Sequence, residues 1–244
     1  MSPSAVLPPT PQPEYPVEFD LPDPASLAAA LARSVATDLQ EAVRLRGAAL
    51  LAVSGGNTPR AFLRTLSNEY LDWSKLTVTL TDERWVAPDD ARSNAALVRE
   101  HLLQGAAAAA RFVPLYAQAA DPESGLAEVA ARLGALSLPF DALVLGMGLD
   151  GHCASLFPGG DHLEAALRYD TREQVLPMRA PAAPEPRITL TLPALVNTRR
   201  LYLHIEGLAK REILQLALGP GGESLPIGAL LRRATEAAHL YWCP

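Results

Sequence analysis

The chain has 244 residues, of which 49% are hydrophobic, 20% charged and 6% aromatic, so it can bury a sizeable core and falls outside the disordered class. A formal net charge of −6 excludes general attraction to nucleic-acid backbones or anionic membrane surfaces, so an anionic ligand must be held by a local positive pocket. Two cysteines, Cys153 and Cys243, stand far apart and outside any CxxC spacing; this argues against a disulfide framework or structural zinc and fits a reducing, cytoplasmic setting.

Residues 1–16 open the chain with Pro3, Pro8, Pro9, Pro11 and Pro13 but no basic n-region or apolar h-region, so they read as a disordered proline-rich tail rather than a signal peptide. No apolar run approaches the roughly 18 residues of a membrane span, and residues 17–244 are expected to form a single domain. Asp23 and Pro24 then open a long Ala/Leu pattern that Gly47 closes, with Asp suited to the cap, Pro to the first turn and Gly to a left-handed exit. Residues 48–53 form a short apolar run that reads as a buried strand. The alternation repeats with a helix over 59–66, a strand over 76–80, a helix over 94–103, a strand over 112–116, a helix over 124–136 and a strand over 142–145. Strands alternating with helices predict a mostly parallel, doubly wound, Rossmann-like α/β sheet. Further on, Pro177, Pro181, Pro184 and Pro186 mark a loop, with 180–186 expected to flex over the site. A strand over 188–192, an apolar stretch over 201–205, helices over 209–218 and 227–233, and a strand over 239–242 follow.

In open α/β sheets ligands bind beyond the carboxyl ends of the strands, which directs attention to three segments expected to share one cleft. Ser54-Gly55-Gly56-Asn57-Thr58-Pro59 places two glycines and a hydroxyl before a helix, either as a backbone nest for phosphate or as a plain turn with Thr58 as cap. Asp82, Glu83 and Arg84 combine two carboxylates with a guanidinium that can clamp phosphate; taken alone, the trio reads as a solvated ion pair. Gly146, Gly148 and Gly151 match GxGxxG, but the segment follows the fourth strand of this reading and runs into Pro158-Gly159 rather than a long helix, against a dinucleotide site. His152, flanked by Asp150 and glycines, is the candidate general base. The remaining histidines, His101, His162, His204 and His239, read as packed or solvated. Asp150, His152 and Cys153 have no partner cluster with zinc spacing, so neither metal nor cofactor is expected. Lys210, one of only two lysines, opens a predicted helix where it suits an anion or an exposed pair with Glu206.

Together SGGNTP at 54–59, TDERWVAPDDARSN at 81–94, GMGLDGHCASLFPG at 146–159, RITLTLPAL at 187–195 and GLAK at 207–210 resemble the 6-phosphogluconolactonase family within the glucosamine-6-phosphate isomerase superfamily. The resemblance spans nearly everything after the tail, and the third motif is the most specific. It implies a glucosamine-6-phosphate-isomerase-like fold and hydrolysis of 6-phosphogluconolactone, the second intermediate of the oxidative pentose phosphate pathway. His152 matches the catalytic histidine, with Asp150 orienting it or the sugar hydroxyls. Arg84 and Lys210 match phosphate holders, supported by Gly55, Gly56, Asn57 and Thr58, with Asp82 and Arg187 completing the substrate set. The expected ligand is a small sugar phosphate, and the expected state a monomer or weak homo-oligomer. Asn57 replaces the usual small hydroxyl residue, and Cys153 the usual threonine. A related amino-sugar-phosphate isomerase or deaminase would carry a glutamate in an FNEPG-like stretch where this chain has Ser155-Leu156-Phe157-Pro158-Gly159, and a non-catalytic sugar-phosphate-binding regulator is the other alternative.

Overall fold

Two ends fix the long first helix, α1 (Pro24–Arg46). Asp23 accepts the Ser26 N–H at 2.8 Å, and Gly47, at φ +76°, donates its N–H back to Val43 O. The 3.6-residue period places Leu27, Leu31, Val35 and Leu39 on one face, all fully buried. The computed structural model describes residues 16–234 and 236–244, so the expected proline-rich tail lies, apart from Pro16, outside the described residues.

The strands β1 (Val17–Asp20), β2 (Ala49–Val53), β3 (Leu76–Leu80), β5 (Arg111–Val113), β6 (Ala142–Leu145), β9 (Leu201–Glu206) and β10 (His239–Cys243) form one sheet in the order β1-β10-β9-β6-β2-β3-β5, every pair parallel. Every residue of β2 and β6 is buried, as expected of central strands covered on both faces. After β2 the chain adds β3 and β5 on one side, then returns to place β6 and β9 on the other. The order therefore reverses between β2 and β6, and the loops leaving these two strands part there to open a crevice.

The connecting helices are α2 (Arg60–Ser67), α3 (Asn94–His101), α4 (Pro122–Gly134), α5 (Leu163–Leu167), α6 (Leu192–Val196), α7 (Leu208–Leu218) and α8 (Pro226–Leu231). A second, three-stranded antiparallel sheet is built from β4 (Asp82–Arg84), β8 (Ala183–Leu190) and β7 (Val175–Ala180), in the order β4-β8-β7. Here the structure corrects the proline reading: the stretch taken as a loop is a hairpin. Pro177 sits on the edge strand β7, and Pro184 and Pro186 fall where the register shifts near the turn, so no regular central ladder loses a donor. The strand expected to end at Leu192 gives way to α6 after Leu190, and β1 and α5 are additional elements.

Close packing in α4 produces a test. A Cβ on Gly125 would lie 2.4 Å from Trp85 Cη2 and 3.2 Å from Ala117 Cβ, while Trp85 Nε1 is anchored to Ala119 O at 3.1 Å. Helix propensity favours alanine by up to ~1 kcal/mol, but overpacking costs about 1–3 kcal/mol. Gly125→Ala is expected to lower the urea midpoint at unchanged m-value; a raised midpoint would show that Trp85 yields freely.

Candidate active site

At the crevice between β2 and β6 a cavity of about 350 Å³ opens. Residues 54–59, Asp82, Arg84, Gly146-Met147-Gly148, His152, Arg187 and Lys210 line it, so the three segments singled out in the sequence do converge. Asp150 borders the site through its contact with His152.

The loop after β6 is a tight coil. Gly148 N–H donates to His152 O at 2.9 Å, Gly151 N–H donates to Gly148 O at 3.1 Å, and Gly151 lies at φ +77°. This brings His152 Nδ1 to 2.5 Å from Asp150 Oδ1. A hydrogen on Nδ1 directed at the carboxylate leaves Nε2 with its lone pair, the tautomer a general base needs. A Cβ on Gly148 would fall 2.2 Å from both Cε1 and Nδ1 of the ring, so the imidazole occupies space that only glycine leaves free. Phe157 covers the ring at a centroid distance of 4.4 Å. Immediately after His152, Cys153 is fully buried and its thiol pKa is pushed up by burial, while Ala154 is the one non-glycine residue at positive φ, +48°, among the described residues.

The cationic side of the cavity starts from β4. Alternation along the strand sends neighbouring side chains to opposite faces, and the solvated reading of this trio does not survive: Asp82 and Glu83 are both buried. Glu83 accepts the N–H groups of Arg84, Asn94 and Ala95 at 2.7–2.8 Å and the Ser93 hydroxyl at 3.1 Å, binding the N-terminus of α3. Asp82 accepts the Ser155 hydroxyl at 2.6 Å and faces Arg187 Nη1 at 4.0 Å. Arg84 and Arg187 are directly opposite across the β4–β8 pair, each with a buried Nε that has no partner. Like charges so placed repel, and an anion between them removes both penalties. Arg187, stacked over Phe157 at 5.5 Å, has its pKa drawn down by burial, against the pull of Asp82 and with Arg84 adding to the fall.

On the glycine-rich side, α2 begins at Arg60 after Pro59 with no side-chain cap, so Thr58 is not the cap. Its Oγ1 instead accepts Lys210 Nζ at 3.5 Å. Lys210 is half-buried, and burial lowers its pKa while Glu206 opposes the shift. The alternative exposed pair of Lys210 with Glu206 does not form; Glu206 takes the His204 Nε2 hydrogen at 3.2 Å. Asn57 is exposed at the rim. The sequence reading missed the support residues Asn94, Ser155 and His204. Asn94 carried a signal: a Cβ on Gly55 would lie 1.8 Å from its Oδ1, so the glycine and the distant asparagine occupy one another's space. Among the described residues no three His, Cys, Asp or Glu side chains are grouped to hold a metal ion, and no helix is long and apolar enough to cross a membrane.

A family model described as glucosamine-6-phosphate isomerases/6-phosphogluconolactonase matches residues 22–242. The chain belongs to this family. Within it, a 6-phosphogluconolactonase of Rhizobium meliloti is 51% identical over 223 residues, 91% of this chain and 96% of that protein. Another from Mesorhizobium japonicum is 47% identical over 223 residues, 91% of this chain and 93% of its own. The crystal structure of a 6-phosphogluconolactonase from Shewanella baltica superposes with a TM-score of 0.91 at 39% identity, covering 96% of this chain and all of that one. The glucosamine-6-phosphate isomerase/6-phosphogluconolactonase fold is thus present over nearly the whole length, and the doubly wound parallel sheet expected from the alternation is the one observed.

Burial pushes the Glu83 carboxyl above its usual range, outweighing three backbone N–H bonds that pull it down. The folded protein then holds this proton more tightly than the unfolded chain, so the stability Glu83 contributes is fully present at acidic pH and declines as pH rises through the raised value. Glu83→Gln, which sets an amide NH2 against a backbone N–H, is expected to cost about 2 kcal/mol at acidic pH. The gap from wild type should narrow as pH rises in urea unfolding; a gap that widens would reverse the assigned shift.

Proposed function

We propose that residues 17–244 form one lactonase domain that hydrolyses 6-phospho-D-glucono-1,5-lactone to 6-phospho-D-gluconate, the lactone step of the oxidative pentose phosphate pathway. The observation that carries this reading is the meeting, in one cavity, of an imidazole tied through Nδ1 to a carboxylate with two cations, Arg84 and Lys210, that form no ion pair among the described residues.

The phosphate is held by Arg84, Arg187 and Lys210, with Thr58 and the Gly55-Gly56-Asn57 backbone ahead of the uncapped α2 terminus supplying further donors. Asp82 keeps Arg187 and Ser155 in place. Anchored there, the lactone presents its carbonyl carbon to a water beside His152. Nε2 removes a proton as the water oxygen bonds to that carbon and the carbonyl electron pair moves onto its oxygen. When the tetrahedral adduct collapses, the bond to the ring oxygen breaks and Nε2–H returns the proton to it, opening the ring. Asp150 holds the ring orientation and offsets the charge it gains. Acid–base help of this kind is worth roughly 10²- to 10⁴-fold, and the scheme calls on no cofactor.

An amino-sugar-phosphate deaminase needs a carboxylate for ring opening where this chain has Ser155 to Gly159, and none stands there. A non-catalytic regulator would have no use for the Asp150–His152 contact. The buried free thiols Cys153 and Cys243 fit a cytoplasmic enzyme, which we take to be a monomer or weak homo-oligomer acting without nucleic acid or membrane.

With lactone generated freshly from glucose 6-phosphate and the buffer rate subtracted, wild type should accelerate its decay and His152→Ala should lose at least about 10²-fold. No acceleration by wild type would sink the reaction; acceleration that survives in the variant would keep the reaction and remove the mechanism. Gly148→Ala, which displaces the ring by contact alone, should lower kcat by about 10²-fold and leave the Kd for 6-phosphogluconate near wild type. Equal loss of product affinity would show that the loop as a whole had moved.

A further inference from the structure

One imidazole lining the cavity has no part in these steps. His204, on β9, is 2% exposed and packs edge-on against Phe62 at a centroid distance of 6.3 Å. Its Nε2 donates to Glu206 Oε1 at 3.2 Å, and its Nδ1 is buried without a partner. Glu206 ends β9, Gly207 follows at φ +87°, and Lys210 stands in the first turn of α7, four residues beyond the carboxylate. Glutamate and lysine so close in sequence readily pair, and Glu206 is the acid whose charge acts on Lys210. Yet among the described residues Lys210 forms no ion pair, and Thr58 Oγ1, at 3.5 Å, is its hydrogen-bond partner.

We propose that His204 is a positioning residue: by tethering Glu206 through Nε2–H it keeps that carboxylate off Lys210, so the ammonium meets the phosphate of the substrate instead of an internal partner. A glutamate released from the tether is an intramolecular competitor for the same cation. With the buried His204 donor removed, Glu206, whose side chain is 28% exposed, loses that hydrogen bond and is free to turn toward Lys210. The inference rests on the lactonase reading for the identity of the phosphate, while the tether itself concerns any anion at Lys210.

The test is calorimetric titration of 6-phosphogluconate into wild type, His204→Phe, Glu206→Gln and the double variant. Phenylalanine keeps the edge contact with Phe62 and removes the donor. His204→Phe should weaken binding about fivefold, the value of one competing ion pair. Glu206→Gln should bind at least as tightly as wild type, and the double variant should return to the Glu206→Gln value, because no carboxylate remains to compete. A double variant as weak as His204→Phe overturns the inference, since His204 would then be supporting the cavity wall. Should His204→Phe fail to fold, Glu206→Gln decides alone, and weaker binding by it overturns the tether. Wild type that binds 6-phosphogluconate without hydrolysing the lactone would remove the proposed reaction and leave this titration intact.

Discussion

Removing two adjacent carboxylates from water at the end of the first half of the fold is the constraint on which the site depends. Asp82 and Glu83 sit on a three-residue strand, so alternation sends one into the cavity wall and the other toward α3. Neither charge can be left bare in a low-dielectric interior. Glu83 is satisfied by three N–H groups and a hydroxyl, which fixes the start of α3 and with it Asn94; Asn94 in turn fills the space beside Gly55 in the loop after β2. Asp82 is satisfied by Ser155 from the histidine loop and faces Arg187 from β8. Two residues thus bind together segments from four separate parts of the chain.

The parallel sheet determines where this happens. Reversal of strand order between β2 and β6 separates their exit loops, and each loop has a glycine at which a side chain approaches too closely for a Cβ. At Gly55 the visitor is the Asn94 amide; at Gly148 it is the His152 ring. The left-handed Ala154 just beyond costs on the order of 1 kcal/mol and turns the chain back toward Ser155 and its bond to Asp82. Strain is held where the imidazole has to be aimed, and the network around Asp82 is what holds it.

Most of the parallel sheet was legible because its strands are short apolar runs and its helices carry their own punctuation, as Asp23, Pro24 and Gly47 do for α1. The antiparallel sheet was not. Its strands contain Pro177, Pro184 and Pro186, which signal a loop by local rules and are tolerated only because the pairing is on an edge or irregular, a tertiary fact. β1 escaped notice for a similar reason: its four residues are all exposed, with no buried alternation to betray an edge strand. At the site, residue types and glycine spacing point to the cavity, but Glu83 reads as a solvated acid because its burial depends on α3, and His204 reads as packed or solvated because it falls in a predicted strand, with nothing in the residue type to mark its bond to Glu206.

The distribution of charge explains how a molecule with a net charge of −6 can present a cationic cavity. Placing cations there is the smaller problem; the larger is keeping nearby carboxylates from neutralising them. Around this cavity acids are occupied by donors other than Arg84 and Lys210: Glu83 by backbone N–H groups, Asp82 by Ser155, Glu206 and Asp150 by imidazole rings. Among the described residues Arg84 and Lys210 remain without an ion pair as a result. Arg187 is the exception, with Asp82 at 4.0 Å and Glu185 at 3.7 Å, and it is also the most buried of the three. A guanidinium that deep needs its counter-charges. The arrangement therefore divides the cations into one, Arg187, whose charge is shared with acids of the wall, and two, Arg84 and Lys210, that make no ion pair among the described residues, a division that follows from burial rather than from sequence position.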